Sequence, residues 1–189
     1  MKIGSMPDRF IISPLNGEKF NNIKDLNGKK LIINTSIENA KDVNRIGIVH
    51  SLPLDYKGNI LVGDKIIVQH NVFRDYFDSS GKTRFSDWHI KDDLYWVQPE
   101  LVYLIIRGEE KISVDDFCFI EPIFSEEKWI GKVELQHQGI VKYGNDGLRK
   151  LGIFEGDHIG FHNNCEVEFV IDDTRMFKMK THRILAKVN

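Results

Sequence analysis

The chain has 189 residues, long for one small domain and short for two ordinary ones. Hydrophobic residues make up 41% and charged residues 29%, which excludes wholesale disorder. The 26 basic and 28 acidic side chains give a net charge of −2, without the broad positive footprint of a nucleic-acid binder.

Short β-branched runs follow one another along the chain, each bounded by Gly, Asn, Asp or Pro. In the first half they are Leu31-Ile32-Ile33, Gly47-Ile48-Val49-His50, Lys65-Ile66-Ile67-Val68 and Leu101-Val102-Tyr103-Leu104-Ile105-Ile106. In the second half they are Phe117-Cys118-Phe119-Ile120, Gly139-Ile140-Val141, His158-Ile159-Gly160-Phe161 and Arg183-Ile184-Leu185-Ala186. Such runs predict strands, with only residues 37–43 suited to a helical turn, so the expected class is all-β. No apolar run approaches the roughly 18 residues that span a bilayer. The first eight residues lack a basic stretch followed by an apolar core, and Cys118 and Cys165 are too few for a disulfide framework. The expectation is a soluble cytoplasmic protein.

Self-comparison finds a degenerate repeat. Gly47-Ile48-Val49 matches Gly139-Ile140-Val141 at an offset of 92 residues (47 to 139), and Gly63-Asp64 matches Gly156-Asp157 at 93 (63 to 156). Upstream, residues 31–34 are aligned with residues 117–120. Downstream, Val97 aligns with Met179 at an offset of 82 (97 to 179), which places about 11 extra residues of the first copy between Asn71 and Val97. The expected organisation is an N-terminal extension (1–28), a first barrel (29–107) with an inserted hairpin (73–92), and a second barrel (111–189). Each Gly-Asp pair reads as a tight turn, Gly taking positive φ and Asp bonding nearby backbone amides.

The order of these landmarks resembles the ten-kilodalton co-chaperonin family, the GroES-like β-barrel. The carrying motifs are Gly139-Ile140-Val141, Glu155-Gly156-Asp157-His158-Ile159-Gly160-Phe161 and Arg183-Ile184-Leu185-Ala186. Their first-copy counterparts are Gly47-Ile48-Val49, Val62-Gly63-Asp64-Lys65-Ile66-Ile67-Val68 and Leu101-Val102-Tyr103-Leu104-Ile105. The resemblance implies two tandem GroES-like barrels that assemble into a homo-oligomeric ring and cap a sixty-kilodalton chaperonin ring in ATP-dependent folding. It further implies a mobile loop between the first two strands that carries an apolar tripeptide. In the second copy that loop is 125–138, with Trp129, Ile130, Val133 and Leu135 as candidate contacts, although Val133 and Leu135 also suit the start of a core strand. In the first copy it is 35–45, with Ile37 and Val43 and no apolar tripeptide. Family rings are sevenfold, so two barrels per chain cannot fill one with whole subunits.

The inserted hairpin holds Phe73, Tyr76, Phe77, Phe85 and Trp88, which suit either packing on the unit's own core or a protein contact. Stacking on nucleic acid is opposed by Asp75, Asp78 and Asp87, which cancel Arg74, Lys82 and Arg84. The seven histidines form no zinc-type spacing, and the chain has no dinucleotide or phosphate-cradling glycine motif. The paired carboxylates Asp92-Asp93, Asp115-Asp116 and Asp172-Asp173 each precede an apolar strand and read as turns. No metal, cofactor or enzymatic activity is expected. The abundance of Lys, Asn and Ile suggests an AT-rich genome, and a bacterial virus supplying its own lid fits that composition. The contrasting expectation is a non-catalytic virion or scaffold module that reuses the same barrel.

Overall fold

The computed structural model describes residues 6–20, 23–26, 29–32, 43–127 and 131–188. The chain is mostly strand, and it divides into two compact units, Met1–Glu109 and Glu110–Asn189. No described helix is long and apolar enough to cross a membrane.

The first unit contains β1 (Phe10–Pro14), β2 (Ile23–Leu26), β3 (Lys29–Ile32), β4 (Ile46–Ser51), β5 (Lys65–Val68), β6 (Tyr76–Phe77), β7 (Thr83–Arg84), β8 (His89–Lys91), β9 (Leu94–Val97) and β10 (Val102–Arg107). Its main sheet runs β8-β9-β1-β4-β5-β10, while β2-β3 and β6-β7 are separate two-stranded hairpins. The second unit contains β11 (Glu110–Ser113), β12 (Phe117–Glu127), β13 (Gly131–Tyr143), a helix α1 (Asp146–Lys150), β14 (His158–Phe161), β15 (Val167–Ile171), β16 (Thr174–Lys180) and β17 (Ile184–Lys187). Its sheet runs β15-β16-β12-β13-β14-β17. The two orders correspond position for position, each of these six main-sheet strands of the first unit to one of the second. All pairings within them are antiparallel. Among the described residues β8 and β10 do not pair with each other, nor do β15 and β17, so both sheets are open rather than closed barrels.

This correspondence corrects two expectations. The counterpart of Phe117–Ile120 is not residues 31–34 but β1, which lies inside the segment expected to be an extension. Pro14 pairs with Gly47 and Ile12 with Val49, just as Pro122 pairs with Gly139 and Ile120 with Val141. The offset is therefore 108 at the first strand (14 to 122) and 92 at the second (47 to 139), which makes the first unit's connection 16 residues longer. Local pattern misleads here: Leu31 and Ile32 do lie in a strand, but among the described residues β3 pairs only with β2.

Each core follows from the alternation of side chains along a strand. In the first unit Phe10, Ile12, Val49, Ile66, Val68, Tyr95, Val97 and Leu104 are all buried. In the second, Cys118, Ile120, Val141, Ile159, Phe161, Phe177 and Met179 form one cluster, with Leu148 of α1 packed into it. The opposite face of β12 is buried too, where Phe119 meets Tyr143 and Phe169 edge to face. The short helix was not expected from sequence. Asn145 caps it by accepting the Leu148 amide at 2.9 Å, while its own amide donates to the Phe117 carbonyl at 2.7 Å and to Thr181 Oγ1 at 2.8 Å. Nearby, Ser113 of β11 donates to the Tyr143 carbonyl at 3.1 Å.

The two Gly-Asp turns are built alike. Gly63 (φ 92) donates to the Val49 carbonyl, and Asp64 accepts the Leu61 amide, both at 2.8 Å. Gly156 (φ 91) donates to the Val141 carbonyl, and Asp157 accepts the Phe154 amide, also both at 2.8 Å. A cation from the end of the unit's last strand closes each turn: Arg107 on Asp64 at 2.6 Å and Lys187 on Asp157 at 2.8 Å. These cations, helped by the turn amides, hold both carboxyls below their usual range. The aspartate pairs expected as turns lie in turns, with Asp92, Asp115, Asp172 and Asp173 all at positive φ.

At the Pro–Gly pairs the backbones come close. A Cβ on Gly139 would overlap Ile120 Cγ2 and lie 2.7 Å from the Glu121 carbonyl oxygen, and one on Gly47 would meet Ile12 at 3.0 Å and Phe73 at 3.2 Å. Gly139→Ala must push β12 and β13 apart, whereas Gly47→Ala meets side-chain atoms that can shift. We expect Gly139→Ala to cost about 1–3 kcal/mol and Gly47→Ala clearly less. Chemical denaturation of the two variants checks the order.

Candidate partner-binding hairpins

In both units the connection between the first two core strands contains a two-stranded hairpin among its described residues. The first spans residues 15–45. A 3-10 turn, Leu15–Gly17, leads out of β1, and the chain returns through a bridge between Phe20 and Val43. Asn44 ties the two ends together: its side-chain amide donates to the Glu18 carbonyl at 2.6 Å, and its side-chain oxygen accepts the Ile46 amide at 2.9 Å. Asn44 is only 4% exposed, so these bonds satisfy a buried amide where water cannot. Beyond this root, β2 and β3 pair from Ile23–Ile32 to Leu26–Lys29. The sequence between them is Asn27-Gly28, the dipeptide that favours tight hairpin connections. The correction to β1 thus places Leu31-Ile32-Ile33, an apolar tripeptide, inside the first copy's connection.

The second connection is the far end of the β12–β13 ladder. Pairing is regular from Ile120–Val141 to Pro122–Gly139, then shifts, and resumes at Phe124–Glu134 through Ser125–Val133 to Glu127–Gly131. Only Ile123 faces the stretch 135–138, so β13 bulges there, with His137 in the left-handed region (φ 58). An ion pair between Glu134 and Arg175 of β16 fixes the arm just past the bulge, and Arg175 also reaches Glu168 at 3.1 Å. Below it His158 Nε2 lies 3.0 Å from Gln138 Oε1. Of the expected loop 125–138, residues 125–127 and 131–133 are therefore paired backbone, while 135–137 form the bulge.

A third hairpin, β6–β7, is unique to the first unit. Asp78 organises it by accepting from the Ser80 amide, the Ser80 hydroxyl, the Lys82 amide and Arg84 Nε at 2.6–3.0 Å. Those donors pull its carboxyl down to about 2, Ser80 contributing most. The root is held by Lys19, which bonds Asp75 at 3.1 Å and sits 4.4 Å above the Phe85 ring. Burial works against the Lys19 charge, but Tyr95 and Asp75 outweigh it and keep its pKa above the ordinary value. Phe85 in turn stacks on His89 at 4.3 Å.

These positions sort the residues singled out by sequence. Trp129, Ile130 and Ile37 lie outside the described residues. Val133 and Leu135 are half-buried on β13. Val43 is 2% exposed and belongs to the root, so it is no free contact, a correction that follows from its bridge to Phe20. Phe73 is likewise fully buried, edge-on to Tyr95 at 5.0 Å, and Trp88 is half-buried near Trp96. Tyr76, Phe77 and Phe85 remain exposed. Sequence reasoning missed Phe124, half exposed on the second arm, and Asn44, whose role depends on two chain ends meeting.

Among the described residues no three His, Cys, Asp or Glu side chains converge as a metal site. Burial pushes the Cys118 thiol up to about 12, where it is a packing group rather than a nucleophile. No protein-family model matches the chain, and no curated protein matches it.

Removing the Asp78 hub should loosen β6–β7 without unfolding the unit. In Asp78→Ala we expect faster amide exchange at Ser80 and Lys82 and an unchanged melting temperature. In the native chain the carboxyl sits below its unfolded value, so its contribution is present above about pH 4 and lost as pH falls towards about 2. Exchange at those two amides should accelerate across that window.

Proposed function

We propose that the protein is a tandem co-chaperonin-like lid: two GroES-like β-sheet units in one chain that bind a sixty-kilodalton chaperonin ring through their hairpins and assist ATP-dependent folding. On this reading it acts without catalytic residues or a cofactor and works as a homo-oligomer in the cytoplasm, that of the host if the gene is viral. The observation that carries it is the repeated placement of a hairpin. In both units the segment between the first two core strands follows the equivalent Pro–Gly pair and contains a two-stranded hairpin among its described residues. That is the connection through which the family resembled by the sequence engages its chaperonin.

The first copy, which lacked a tripeptide under the sequence alignment, gains one. Leu31-Ile32-Ile33 follows the Asn27-Gly28 turn signal, and Trp129-Ile130 precedes Gly131 in the second connection. Apolar side chains on such a segment supply affinity, and ordering them on contact keeps that affinity reversible.

One observation favours the scaffold reading instead. The second arm is already paired to Glu127–Gly131 and fixed to β16 by Arg175, as a permanently ordered structural arm would be.

Mixing the purified protein with a chaperonin and ATP, then sizing the mixture with mass detection, separates the two. The lid reading predicts a complex that competes with the ordinary lid and is weakened about tenfold or more by Trp129→Ala or Leu31→Ala. A defined oligomer of the protein alone, with no complex, would favour the scaffold.

A further inference from the structure

Lys19 stands where two hairpins of the first unit meet. It belongs to the root of the first connection, and Asn44 holds the backbone on both sides of it. The Asn44 side-chain amide donates to the Glu18 carbonyl at 2.6 Å, and the Asn44 backbone amide donates to the Lys19 carbonyl at 2.8 Å. The ammonium group of Lys19, however, serves β6–β7. It lies 3.1 and 3.4 Å from the two Asp75 carboxylate oxygens and 4.4 Å from the centre of the Phe85 ring. Asp75 immediately precedes β6 and Phe85 immediately follows β7, so one cation from the first connection spans both legs of the other hairpin.

The neck of β6–β7 depends on that cation more than an exposed ion pair would require. Asp75 is 8% exposed, and among the described residues Lys19 is the only group that donates to its carboxylate. A buried carboxylate is costly without its cation, so withdrawal of Lys19 drives Asp75 outward to water. Phe85 loses its cation in the same step. The strands β6 and β7 are two residues each, too short to hold the neck by themselves. The Asp78 hub ties the turn beyond them rather than the neck.

We propose that Lys19 is a latch that couples the two hairpins: the neck of β6–β7 stays closed while Asn44 keeps the root of the first connection closed, and it opens when the root opens. The coupling is reciprocal, because each closed state stabilises the other through the same contact. Asn44 itself makes no hydrogen bond to the insertion, so Lys19 is the route between them. Lys19 acts as a positioning residue. The inference concerns the protein alone and does not depend on the lid reading.

Hydrogen exchange of the full chain tests it in N44A, K19M and the double variant. N44A should speed exchange at the Ile46 amide, which loses its acceptor, and by about fivefold or more at the Asp78 and Lys82 amides of the insertion. K19M should speed Asp78 and Lys82 to a similar extent, and adding N44A to K19M should change those two amides no further. K19R, which keeps the charge, should stay within about twofold of the native rates. In return, D75N should speed the Ile46 amide at the root. The Val49 and Gly63 amides of the core turn should hold their rates in every variant. Circular dichroism confirms folding, and K19M and D75N, which alter only the contact itself, keep the test decisive if N44A does not fold. Unchanged Asp78 and Lys82 in N44A or K19M, an N44A effect of equal size without Lys19, or equal acceleration at Val49 and Gly63 would each overturn the latch.

Discussion

The geometry of both units depends on one cross-strand contact, a proline facing a glycine where the first two core strands stop being regular. Pro14 and Pro122 have no amide hydrogen to extend the ladder, and Gly47 and Gly139 have no Cβ to keep the backbones apart. On one side of this contact the strands continue into the core, through Ile12 and Val49 or Ile120 and Val141. On the other side the regular ladder ends: β1 stops at Pro14, and the β12–β13 register shifts before pairing resumes. What leaves there is only weakly constrained in length, because the entropy of closing a loop grows slowly with the number of residues. The first connection can therefore be 16 residues longer than the second over the same core register.

Different devices then give each projection its direction. In the first unit Asn44 and the Phe20–Val43 bridge close the root, and Lys19 joins that root to Asp75 and Phe85 of the neighbouring insertion. In the second, a bulge with His137 at positive φ turns β13, and Arg175 secures the arm through Glu134. A half-buried ion pair of this kind contributes modestly to stability, because desolvation offsets much of its attraction, but it does restrict where the arm points. The two units thus repeat one core pattern and present two differently mounted hairpins.

Most core strands were legible in the sequence, because β-branched runs between Gly, Asn and Asp reflect pleated, half-buried backbone. The Gly-Asp turns were legible as well, since their chemistry is local. The first strand was not. Phe10-Ile11-Ile12 is as apolar as Leu31-Ile32-Ile33, and period-2 alternation says that a segment is a strand without saying which strand it pairs with. Choosing the nearer run displaced the boundary and hid the long connection, along with its tripeptide. The site was harder still. Phe73 and Phe85 look alike in sequence, yet the first fills the space beside Tyr95 and Gly47 while the second remains exposed on its hairpin. The pairing of Phe117 with Lys180 on another strand is likewise a juxtaposition only the fold reveals.

The central claim is that both hairpins, and not the sheets behind them, are the surfaces through which the chain acts. Hydrogen–deuterium exchange of the protein alone and with an ATP-loaded chaperonin ring tests it directly. The account predicts new protection confined to residues 15–45 and 123–138, with the strands around Val49 and Val141 unchanged. Protection absent from both segments, or spread over the core strands instead, would contradict it.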